Sequence, residues 1–179
     1  MKSMSCAIVA SAIVAASASG QSYYQFSDGT VSFAKAAFAD PLDPANWDII
    51  TSSVAITRSN VAGIYNPLVE EFYVVTGDSP AGTLWYFGGT VADVIGGSID
   101  LADFDVWEDA KPDNTPDMVG MSAVLYLQDR DAYVDLAFTQ WGVGVNGGGS
   151  FAYRRAIVPT PATLAAMGLA GLAGTRRRR

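Results

Sequence analysis

The stretch AYVDLAFTQW, residues 132–141, constrains the fold more than any other part of this chain. Val134, Leu136 and Phe138 fall on one side of an extended backbone and Asp135, Ala137 and Thr139 on the other, the period-2 alternation of a half-buried strand. Just before it, VGMSAVLYLQ repeats the pattern with Met121, Ala123, Leu125 and Leu127. Only QDRD separates the two runs, and a four-residue loop joins antiparallel neighbours. A third strand, SFAYRRA, follows the glycine-rich loop GVGVNGGG.

Earlier runs extend the pattern. SYYQF, TVSFAKAAF, DIITSSVAITRS, EEFYVVTG, LWYFGG and GSIDLADF are short, rich in β-branched and aromatic residues, and bounded by turn residues. About eight or nine strands at this spacing, with no long helical period, predict an all-β body: an antiparallel β-sandwich or jelly-roll-like fold. EDAKPDNTPDM reads as a loop, because Pro112 and Pro116 cannot donate to a ladder and Asp113 and Asn114 favour turns. Trp85, in LWYFGG, is expected in the core.

Composition removes several classes of function. Setting aside Lys2 and Arg176 to Arg179, the chain has 6 basic against 18 acidic residues, a formal charge of −12. Phosphate backbones repel such a body, so nucleic acid is not an expected partner. There is no histidine, and the single cysteine, Cys6, lies near the start. Serine or cysteine triads, thiol redox chemistry and ordinary zinc sites need side chains the body lacks.

Four features invite a chemical reading. Gly142, Gly144 and Gly147 spell G-x-G-x-x-G, but a β-like run follows where dinucleotide binding needs a helix start, so the stretch reads as a bulged strand connection. The acidic group Asp100, Asp103, Asp105, Glu108 and Asp109 offers oxygen ligands for calcium without the spacing of an EF-hand, and otherwise reads as a solvated edge. Asp100, Asp103 and Asp105 are its calcium candidates. Glu70 and Glu71 are available carboxylates for glycoside hydrolysis, yet as strand neighbours they point to opposite faces. No catalytic residue is assigned, and the chain is read as a non-enzyme. Of Trp47, Trp85, Trp107 and Trp141, Trp107 inside the acidic stretch is the candidate for an exposed face that stacks on sugar, with packing as the alternative.

The ends carry different information. MKSMSCAIVASAIVAASASGQ has an early positive charge, an apolar run and then small residues, the order of a secretory signal peptide. Ala16 and Ala18 suit a cut before Ser19; Ala18 and Gly20 suit one before Gln21. At the other end, the run from Ala162 to Gly174 would form a helix about 20 Å long, or about 25 Å counted from Ile157, against a hydrocarbon core of about 30 Å. Four arginines follow, so this segment reads as a marginal single membrane helix with its end cytoplasmic.

VPTPATLAAMGLAGLAGTRRRR resembles a PEP-CTERM sorting signal, a Pro-x-Pro motif with a short membrane segment and a basic end. Pro159, Thr160 and Pro161 match the motif positions, Thr160 standing where the family usually has glutamate; Arg176, Arg177, Arg178 and Arg179 match the basic end. The resemblance implies processing by signal peptidase and an exosortase, a transient inner-membrane anchor, and release to the bacterial cell surface or an exopolysaccharide matrix. Residues 112–156 also resemble a stretch of uncharacterised exported bacterial proteins that carry such tags. The expected organisation is a signal peptide over 1–20, a β body over 21–157 and a sorting tail over 158–179. The expected role is structural or adhesive, with a carbohydrate-binding module, helped by calcium, as the alternative and a polysaccharide hydrolase behind it.

Overall fold

The computed structural model describes residues 20–159, and the alternating run is its longest strand. In chain order the strands are β1 Ser22–Tyr24, β2 Thr30–Lys35, β3 Asp48–Ile49, β4 Ala55–Arg58, β5 Ile64–Tyr65, β6 Thr83–Phe87, β7 Ala123–Leu127, β8 Ala132–Trp141 and β9 Phe151–Ala156. The α-helices among the described residues are two short ones, α1 Val91–Ile95 and α2 Trp107–Ala110. The body is therefore mostly β and mostly antiparallel. One sheet runs β2-β9-β8-β7-β6, with β1 parallel to the first residues of β8; β3, β4 and β5 form a second sheet. The β7–β8 hairpin closes through residues 128–131 as the loop length predicts, with Asp131 at φ 47° and its carboxylate accepting from the Tyr126 hydroxyl at 3.0 Å.

Alternation sorts the large sheet's side chains into two cores. Leu125, Val134, Leu136, Phe138 and Tyr153 share one cluster with Ile50, Val54, Ile56 and Ile64 around the small sheet. Each such side chain fully buried contributes about 1.5–3 kcal/mol. Val124, Tyr126 and Tyr133 face the other way, onto Val91, Ile99 and Phe104 from α1 and the chain after it. The expectation of a half-buried β8 is thus corrected: its first seven residues are all buried, because α1 and its flanks cover the face predicted to be wet. Asp135 meets this environment by accepting from the backbone amides of Phe26 at 3.0 Å and Val91 at 2.7 Å, so one buried carboxylate fastens two segments to the sheet.

A second buried carboxylate joins the two sheets. Asp48 on β3 accepts from Arg155 Nε at 2.7 Å and Nη2 at 2.8 Å and from the Tyr153 hydroxyl at 2.7 Å, both donors on β9. Burial pulls the Arg155 guanidinium down, and the bonds to Asp48 more than offset it, so Arg155 is held above the ordinary arginine range. Burial pushes the Tyr153 hydroxyl well up.

Three predicted strands take other forms. DIITSSVAITRS folds into the short β3–β4 hairpin, the Val54 carbonyl accepting from the amides of Ile50 and Thr51. EEFYVVTG does not extend. The Glu70 carboxylate accepts from Asn66 N at 2.6 Å, Ala81 N at 2.8 Å and the Ser79 hydroxyl, and the chain turns about that anchor. In GSIDLADF the Asp100 side chain accepts from Ala102 N at 2.7 Å and the Asp103 side chain from Asp100 N at 2.9 Å, local bonds that win against the ladder and leave a 3-10 turn over Leu101–Asp103. Asp105 alone reaches β6, in an antiparallel bridge with Trp85.

Of the sorting residues, Gly20 is exposed and Pro159 offers its carbonyl to Arg130 Nη1 at 3.1 Å. Ala16, Ala18, Thr160, Pro161 and Arg176 to Arg179 lie outside the described residues, as do the predicted signal and membrane helices. Among the described residues no helix is long and apolar enough to cross a membrane.

Candidate functional site

A cleft of about 550 Å³ opens where the ends of β4 and β8 meet α2 and the loop after β5. Arg58 and Trp141 are the last residues of their strands, Trp107 and Glu108 open α2, Lys111 follows it, and Tyr73 arrives on the loop turned by Glu70. Gly63 makes this approach possible: a Cβ there would lie 2.7 Å from the Trp107 ring, with the Tyr73 ring equally close. The three rings form a connected base, with Trp107 5.6 Å from Trp141 and edge-on to Tyr73 at 5.9 Å.

Charged groups lie against these rings. The Arg58 guanidinium carbon sits 3.6 Å from the centre of the Trp141 ring, and Lys111 Nζ lies 5.5 Å from that of Trp107. Lys111 pairs with Glu108 at 3.0 Å, and Glu108 also accepts from the Tyr73 hydroxyl. Burial, that hydrogen bond and the carboxylate's charge push the Tyr73 hydroxyl up, keeping it a donor at neutral pH. Arg58 donates from Nε to Ala62 O at 2.7 Å and from Nη1 to Gly142 O at 2.9 Å and Ser150 O at 3.1 Å. It thereby ties β4 to the glycine loop, and burial lowers it to about 10.

That loop shows what its glycines are for. Gly142 packs against Gly147, where a Cβ would meet the Gly147 carbonyl at 2.7 Å, and a Cβ on Gly149, at φ +67°, would overlap the Ser59 carbonyl. A single 3-10 turn, Val145–Gly147, leads into β9, so the glycines serve close backbone packing, without the helix start a pyrophosphate requires.

No protein family, curated protein or solved structure matches this chain. The functional reading rests on the residues themselves.

Trp107, expected as an exposed stacking face, is corrected. It is 1 % exposed and belongs to the main core. One turn of helix in an acidic stretch sends Asp109 to solvent and the indole inward, so acidic neighbours in sequence do not place a ring in water. Its edge still lines the cleft, beside the half-buried Trp141. Trp85 is fully buried, as expected. Trp47 donates to Pro41 O at 2.7 Å and borders a second hollow of about 490 Å³ with Leu42 and Tyr65.

Asp100, Asp103 and Asp105 do not converge as calcium ligands. All three are exposed, and each gives an oxygen to a nearby backbone amide, Asp105 to Val106 at 2.8 Å. Among the described residues no three acidic, histidine or cysteine side chains gather in a way that would hold a metal ion. Glu70 is occupied as a loop anchor and Glu71 is exposed. Sequence reading passed over Arg58, Tyr73 and Lys111. The one available signal was an arginine closing the apolar run AIT, a place where a strand carries its cation inward.

Proposed function

We propose that this chain is an exported, exosortase-processed protein of the cell surface or extracellular matrix, a β-sandwich-like adhesive body that holds matrix carbohydrate in the Arg58–Trp141 cleft. The observation that supports this reading is the cleft itself, an aromatic base of Tyr73, Trp107 and Trp141 with polar side chains of Arg58, Glu108 and Lys111 converging on it. Saccharides suit such a surface, because their C–H faces pack on rings while their hydroxyls need paired donors and acceptors. The signal peptide and tail account for how such a body would reach a matrix.

A glycan array with the purified chain tests the adhesive half. Retention of at least one glycan class that is lost in Trp141→Ala supports it, and binding at background throughout overturns it. For the sorting half, replacing Pro159 and Pro161 by alanine is expected to leave the protein uncleaved in the inner membrane. A variant that reaches the surface at the same shortened mass as wild type refutes it.

A further inference from the structure

The described residues contain six cations, and all eighteen carboxylate side chains of the chain lie within them, since neither 1–19 nor 160–179 holds an Asp or Glu. Lys111, Arg130 and Arg155 take ion-pair partners within 4 Å, and Arg154 is exposed. The remaining two are buried and have no such partner among the described residues: Arg58, 4 % exposed, and Lys35, 2 % exposed. Three-fold excess of acid makes this notable, because a carboxylate at either position is easily supplied, and a buried cation without one is costly.

The two are neighbours in effect. Burial lowers Lys35, the positive charge of Arg58 lowers it further, and Asp40 only partly restores it. Among the described residues Lys35 Nζ has no hydrogen-bond partner, and Arg58 bonds only to carbonyls, through Nε and Nη1, which hold it in place without neutralising it. At about 10, Arg58 remains charged at neutral pH. Arg58, Lys111 and Glu108 leave the cleft lining with one net positive charge, in a body of formal charge −12.

We propose that the cleft selects an anionic saccharide, a uronic acid residue whose carboxylate is met by Arg58 and whose ring packs against the half-buried Tyr73 and Trp141 side chains that line the cleft. This rests on the reading of the cleft as the carbohydrate contact. A fixed guanidinium matches a carboxylate better than a hydroxyl, and here three carbonyls already hold the fork in place. The site is local, since the body as a whole repels long polyanions, and a short ligand is the appropriate probe.

The test is titration of the purified full chain with digalacturonate and with its carboxyl-reduced, neutral counterpart, read by tryptophan fluorescence and calorimetry. The expected result is binding of the acid at least tenfold tighter than of the neutral sugar, with that preference lost in Arg58→Gln and partly kept in Arg58→Lys. Equal binding of the two sugars overturns the anion selection and leaves the carbohydrate reading standing. Binding of the neutral sugar alone does the same. If neither binds and the array is also blank, the cleft reading falls with it. A folded Arg58→Gln chain that keeps the full preference also overturns the assignment. Should that variant not fold, the paired ligands on the wild-type chain decide the question.

Discussion

Replacing Asp48 by alanine removes the only carboxylate that Arg155 touches among the described residues. In the native chain Arg155 makes two charge-assisted bonds to Asp48, at 2.7 and 2.8 Å, with both residues no more than 6 % exposed. The variant leaves the guanidinium buried with a single carbonyl, that of Ala156 at 3.2 Å, and leaves the Tyr153 hydroxyl without its acceptor. Breaking one partner of a buried pair costs about 3–5 kcal/mol, a large part of the roughly 5–15 kcal/mol that holds an ordinary domain folded. For a body of this size the melting temperature should fall by roughly 10–15 °C. Replacing the whole group, with Asp48→Leu, Tyr153→Phe and Arg155→Met together, should recover most of that loss, since apolar substitutes remove the desolvation penalty with the bonds. The assay is urea unfolding of the purified chain followed by tryptophan fluorescence, with circular dichroism as a second probe for two-state behaviour. A loss below about 1 kcal/mol in Asp48→Ala, or a triple variant no more stable than the single one, would refute the argument that this cluster joins the two sheets at high stakes.

Asp135→Ala should orphan the amides of Phe26 and Val91, at about 1–3 kcal/mol each; Asp135→Asn keeps one acceptor oxygen and should lose about half as much, both measured by urea unfolding. Tyr126 is pushed up to about 12 by burial and by its bond to Asp131. Its hydroxyl keeps its proton longer in the folded chain than in the unfolded one, so the stability it contributes is whole below pH 10 and drains away between about 10 and 12. Alkaline titration of stability should therefore be shallower in Tyr126→Phe, and identical slopes would count against it. Chelator is expected to leave the melting temperature unchanged, because Asp100 and Asp103 cap their own turn and Asp105 accepts from the neighbouring Val106 amide; a calcium-dependent rise would show that the acidic stretch reorganises around the ion.

Local pattern carried far where one interaction dominates. The β7–β8 hairpin was legible because alternation and a four-residue loop leave a chain few other choices. EEFYVVTG shows the limit. Its β-branched and aromatic content reads as a strand, but Glu70 finds amides 4 and 11 residues away, and no windowed reading weighs such bonds. Trp107 shows the same limit for a site. Neighbours in sequence describe its stretch as acidic, whereas its burial is set by Tyr73 and Trp141, 34 residues away on either side.

By itself the sequence determined the β class, the central hairpin, the acidity of the body and the absence of histidine and thiol chemistry from it, because these follow from composition and from a period of two along the backbone. Only the tertiary structure decided that β8 is covered on both faces, that Asp48 and Asp135 work as internal fasteners, and that Arg58, brought next to Trp141 from 83 residues away, has no carboxylate to answer it. Those outcomes depend on which groups meet once the chain has folded back on itself, and the cost of burying a charge is set by that meeting.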